Sequence, residues 1–211
     1  MRRRHQYAWD LRAIEDRTHR EVVWGALAAC DYPFKRIRRN TGKRVPVTVS
    51  DLSRWMRGNG AEAHFHAHDP DTGEHAHGLA DSRRGALGLY WLPTSEHPAG
   101  RVELEQSVMG DVALAQEVFL AEGAHAVDYG VPLTDEQRNA IMAALHGGNP
   151  TPHGHEWFDN QSGYWGWPGE NFMGLFMAAF APSLTRPLEA RQPWLHTNTR
   201  EAVEATRRVL A

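Results

Sequence analysis

The stretch Asp111-Val112-Ala113-Leu114-Ala115-Gln116-Glu117-Val118-Phe119-Leu120-Ala121-Glu122-Gly123-Ala124-His125-Ala126-Val127-Asp128-Tyr129 decides how the rest of the chain reads. Asp111 is a capping residue, and the apolar spacing predicts one long helix to about Tyr129. Leu114, Val118, His125 and Asp128, with Glu122, fall near one stripe of that helix. Taken alone, Glu-x-x-His is common on helices, and a His three residues from an Asp is often a satisfied buried pair. The order of the flanking segments is what gives the stretch meaning.

Upstream the period is two. Arg101–Val108 reads as a strand with Val102 and Leu104 on one side and Arg101, Glu103 and Glu105 on the other. Ala86–Leu92 reads as another. Ala61–His68 alternates strictly, placing Ala61, Ala63, Phe65 and Ala67 opposite Glu62, His64, His66 and His68. Asp69–Gly73 is a turn, after which His75 and His77 alternate again. Val45–Val49 predicts a short edge strand, because Pro46 has no N–H for a ladder. Ser50 and Asp51 cap a short helix through Leu52, Trp55 and Met56. Glu21–Cys30 carries Val22, Val23, Leu27 and Cys30 on one helical face, and Pro33 ends it. Downstream the period becomes helical. Thr134-Asp135-Glu136-Gln137 is a capping-box start, Glu170–Ala181 is a strongly apolar helix closed by Pro182, and Asn198–Leu210 is amphipathic.

Composition bounds what such a chain does. With 211 residues and 41% hydrophobic side chains, the chain suits one domain with extensions and a real core. Its longest apolar runs, within 22–30 and 172–181, fall far short of the ~20 residues of a membrane span. After the basic start Met1-Arg2-Arg3-Arg4-His5, the charges of Asp10, Arg12, Glu15 and Asp16 occupy the place of a signal peptide's apolar segment. The single cysteine, Cys30, excludes an intrachain disulfide and a cysteine-based zinc knuckle. These features predict a soluble cytoplasmic protein that is not secreted by a signal peptide and has no membrane partner. Net charge is −3, yet residues 1–50 hold 12 Lys/Arg against 5 Asp/Glu. No recognised DNA- or RNA-binding motif accompanies Arg2–Arg4, Lys35–Arg39 or Lys43-Arg44. The segment therefore reads as an attachment arm rather than a reader of bases.

A zinc hydrolase of the His-Glu-x-x-His type sets two imidazoles at i and i+4 on one helix, and the Glu after the first activates a metal-bound water. Glu122 and His125 stand in the base and second-ligand positions here, and the first-ligand position is Ala121. In order and spacing, residues 86–182 resemble the zincin metallopeptidases, in particular the branch of lethal-factor-like toxins and peptidase-like proteins of actinobacterial phages. The resemblance implies Arg101–Val108 as the edge strand that binds an extended substrate, Asp111–Tyr129 as the motif helix and Glu170–Ala181 as the third-ligand helix. It further implies Glu122 as general base, His125 and Glu170 as zinc ligands, and Asp128 as the carboxylate that orients His125. A methyl at 121 cannot bind zinc, and working sites supply three protein ligands plus water.

The expected fold is therefore α+β and zincin-like: a small mixed sheet with an edge strand, a motif helix and a helical lower half. Residues 1–20 form a basic arm, 21–182 the domain and 183–211 a C-terminal extension with a helix, the two extensions reaching other chains. The leading expectation is a degenerate zincin, without bound zinc, that serves as a structural or adaptor subunit of an assembly such as a phage particle. The alternative is an active zinc peptidase with a ligand from a distant histidine. His153 and His155, just before the Glu170 helix, are candidates. So are His64, His66, His68, His75 and His77, which otherwise form an exposed polar strand face. If clustered, these five would charge together as pH falls through about 6.5 and repel one another. The Trp157–Pro168 loop, rich in aromatics and glycine, reads as a cover over the old site or as a binding platform.

Overall fold

Six strands, in the order β1-β2-β6-β5-β4-β3, make one mixed sheet in the computed structural model, which describes residues 8–56, 64–81, 85–145, 168–184 and 200–211. In chain order these strands are β1 (Trp9–Asp10), β2 (Val45–Ser50), β3 (His64–His68), β4 (His75–Asp81), β5 (Gly85–Trp91) and β6 (Arg101–Glu105). The helices are α1 (Arg17–Ala29), α2 (Lys35–Thr41), α3 (Val112–Gly130), α4 (Asp135–Leu145), α5 (Pro168–Phe180) and α6 (Arg200–Leu210). The protein is thus α+β. The chain divides into two units, Met1–Val131 and Pro132–Ala211.

In the first unit, β1 and β2 run parallel with α1 and α2 in the connection, as a parallel pair requires. β2 also pairs in parallel with β6, whereas β6, β5, β4 and β3 form an antiparallel meander. Two expectations change. β2 is not an edge strand: Pro46 is tolerated because its side of the backbone faces β6, and that ladder starts one residue later, at Val47 opposite Val102. β6 is not the substrate-binding edge either, because β2 and β5 occupy both its sides. It also stops at Glu105, whose carboxylate accepts from Ser107 N at 3.0 Å and starts a 3₁₀ turn over Gln106–Gly110. The edges of the sheet are β1 and β3.

Part of the stretch read as an arm enters the core. Ala8, Trp9, Leu11 and Ile14 are buried, and α1 begins at Arg17, where Asp16 caps Thr18 N and His19 N, four residues before the predicted start. Trp9 packs edge-to-face on Phe34 (5.2 Å) and Phe119 (5.0 Å), and Phe34 packs likewise on Tyr32. On the sheet's other face Leu52, Ala67, Ala76, Leu89 and Trp91 form an apolar cluster with Trp55. There the Trp91 indole donates to Glu103 Oε2 (2.7 Å) and Arg101 lies over the Trp91 ring. The β3–β4 turn closes as expected, with Gly73 at φ +73° and its N–H bonded to the Asp69 carbonyl.

In the second unit, Thr134 and Gln137 form the anticipated capping box: Gln137 N donates to Thr134 Oγ1 at 3.2 Å and Thr134 N to Gln137 Oε1 at 2.9 Å. α5 opens on Pro168, a residue preorganised for a first helical turn. The expected C-terminal helix is present at residues 200–210. α6 packs on α4 and α5, and Arg207 donates twice to the Ala179 carbonyl near the end of α5 (2.6 and 2.8 Å). Among the described residues, no helix is long and apolar enough to cross a membrane.

Candidate functional site

The motif helix α3 is buried along nearly its whole length, so its contacts, rather than its polarity, reveal its faces. Gln116, Phe119 and Gly123 lie toward α1 and β1: Gln116 Nε2 donates to Val22 O, and the Trp9 ring reaches Phe119 and Gly123. Val118, Glu122, His125 and Tyr129, spaced i, i+4, i+7 and i+11, lie against the sheet. Gly88 of β5 makes that seating possible. A Cβ there would fall 2.6 Å from Val118 Cγ1 and 3.1 Å from Glu122 Cγ, so only glycine lets the helix approach.

One turn further along, His125 packs on two rings of the sheet. It stacks on His77 of β4 (centroids 5.0 Å, planes 15° apart) and on Tyr90 of β5 (5.6 Å, 27°). Tyr129 stacks on Tyr90 at 5.5 Å, and its hydroxyl lies 3.3 Å from His77 Nε2, with the donor set by the His77 tautomer. Since His77 is opposite Tyr90 in the β4–β5 register, the four rings form one cluster. Tyr90 Oη donates to the Ala99 carbonyl at 3.1 Å. Burial pushes the Tyr90 hydroxyl well above its ordinary pKa, and the neighbouring Tyr129 and the Asp128 charge push in the same direction.

Glu117, Glu122, His125 and Asp128 are all at most 4% exposed. Buried carboxylates need partners to survive, and each of these groups is engaged by neighbours within the fold. Glu122 and His125 therefore both lie on the side of α3 that packs on the sheet. Asp128 sits close enough to Tyr90 to influence its ionisation. Glu170 lies in the first turn of α5, and its side chain is outside the described residues. His153, His155 and the Trp157–Pro168 loop are outside them as well.

The hairpin histidines with described side chains differ in exposure. His77 is buried under α3, whereas His68 and His75 are exposed and stack on each other at 4.5 Å. The side chains of His64 and His66 lie outside the described residues. Sequence reasoning missed Tyr90, Tyr129 and Gly88. A glycine inside a strand two residues from a tyrosine, and a tyrosine one turn beyond His125, were the available signals.

Ala121, 2% exposed, contributes only a methyl. Among the described residues, no group of three or more His, Cys, Asp or Glu is placed to hold a metal. Comparison with protein-family models, with curated proteins and with solved structures finds no match.

Proposed function

We propose that this chain is a non-catalytic, zincin-derived protein that serves as a structural or adaptor subunit in a protein assembly such as a phage particle. One observation carries the reading. The residues that would do the chemistry, Glu122 and His125, are committed to helix–sheet packing against Gly88, Tyr90 and His77, beside a buried alanine at the first-ligand position. A hydrolytic site needs its base and its metal open to water and substrate; this cluster is built as core. The partner surface is supported by Lys35, Arg38, Arg39, Lys43 and Arg44, all exposed on and just after α2.

Metal analysis of the purified full chain tests the proposal. We expect well under one zinc per chain, no thermal shift on adding zinc or a chelator, and no cleavage of unstructured peptide substrates. One tightly held zinc per chain, lost in both His125→Ala and Glu170→Ala, would overturn it and establish the peptidase alternative.

A further inference from the structure

A second feature lies apart from the α3–sheet cluster. β1, the first turns of α1 and the residue before β2 enclose an open cleft of about 430 Å³, within the size range of small-molecule sites. Trp9, Leu11 and Trp24 supply apolar wall; Arg12, Arg20 and Arg44 supply positive charge, and Asp10 is its single acid.

The hydrogen bonds show which groups are already committed. Asp10 is taken by Arg12, whose Nε and Nη2 donate to the carboxylate at 2.8 and 2.5 Å and whose backbone N–H donates at 3.2 Å. Arg20 donates to the carbonyls of Ile14 and Glu15. Those neutral acceptors orient its guanidinium without cancelling its charge. Arg44 is exposed at the mouth. Trp9 Nε1 is buried and has no hydrogen-bond partner. Apart from Asp10, which Arg12 bonds and whose carboxylate the Arg44 charge also reaches, the polar side chains of this cleft are donors, and three guanidinium groups against one carboxylate leave it net positive. Such a site selects a ligand that brings acceptors and negative charge. Trp24 stands one helical turn from Arg20 on α1, so an indole and a guanidinium share one side of the cleft.

We propose that this cleft binds a small aromatic anion, its phosphate or carboxylate held by Arg20 and Arg44 and its ring laid against Trp24. The two anion chemistries share this recognition, because guanidinium groups pair with either.

Calorimetric titration of the full chain at low ionic strength tests the site, with adenosine monophosphate and indole-3-acetate as probes and inorganic phosphate and adenosine as controls. At least one aromatic anion should bind at one per chain, about tenfold or more tighter than either control. Which of the two binds better identifies the anion as phosphate or carboxylate. Arg44→Gln, at an exposed position, should weaken that binding about tenfold with an unchanged circular dichroism spectrum, and Trp24→Leu should do the same. The proposal falls if neither anion binds, if phosphate or adenosine alone binds as well, or if Arg44→Gln leaves the affinity unchanged.

Discussion

Two imidazole pairs, one across the β3–β4 hairpin and one between that hairpin and α3, resemble each other on paper and differ in physics. His68 and His75 stack at 4.5 Å across the strands, in water. His77, two residues along the same face of β4, stacks at 5.0 Å on His125 beneath α3, with both rings almost wholly buried. Ring contact is thus not what separates them. Burial is: the outer pair is a surface contact that water can replace, whereas the inner pair fills space between a helix and a sheet and holds polar nitrogens away from solvent. Of the hairpin histidines with described side chains, His68 and His75 therefore lie at the surface and His77 in the core.

The largest consequence concerns stability. His125→Ala would open a hole beside the His77 and Tyr90 rings, and urea denaturation should show a loss of about 2–4 kcal/mol. A loss no larger than that of a surface substitution would mean the inner pair is not core. Gly88→Ala approaches the same interface from the strand. Its methyl meets Val118 Cγ1 at 2.6 Å, on a β-branched side chain that cannot easily turn aside. The expected cost is about 1–3 kcal/mol.

How far could this have been read from residues alone? The strands were legible wherever one face was buried, because alternation survives in Val102 and Leu104 and in Ala67 beside His68. The adjacency of β2 and β6 was not. These strands are some fifty residues apart in sequence, and Pro46 spoke only for a missing N–H, not for which neighbour would have used it. The existence of α3 was plain from Asp111 onward, but its orientation was hidden. Burial from Glu117 to Asp128 runs all round the helix, so no polar face marks the outside. Small residues at 121, 123, 124 and 126 admit neighbours on every side. That Glu122 and His125 share a face of α3 was readable from their spacing; that this face turns toward Gly88 and Tyr90 depends on a strand that sequence spacing does not orient.

Tyr90 gives the comparison a pH axis. Its hydroxyl is held protonated by burial beside the inner pair. An acid whose folded pKa lies above its unfolded value stabilises the fold fully below the unfolded value, about pH 10 for tyrosine, and that contribution is lost as pH rises further. Cys30 and Tyr32, each pushed up to about 12 by burial, act in the same sense. Stability should therefore fall from about pH 9 upward. Tyr90→Phe should cost about 1 kcal/mol at neutral pH, through the lost bond to Ala99 O, yet make the alkaline decline shallower. An unchanged alkaline slope would remove Tyr90 from the buried cluster.

The smallest effect belongs to the outer pair, and it is the sharpest control. His75→Gln removes one ring of an exposed stack at a position that packs against no core residue of the hairpin's other face. Its effect on unfolding free energy should stay within about 0.5 kcal/mol. The same pair should react readily with diethyl pyrocarbonate in the native protein, whereas His77 and His125 should react only at the rate at which the α3–sheet interface opens, since a reagent must reach the ring nitrogen. Peptide mapping of the modified chain separates the four sites. Equal labelling of all four would show that the inner pair is as open to water as the outer, and the reading of Glu122 and His125 as core would fail with it.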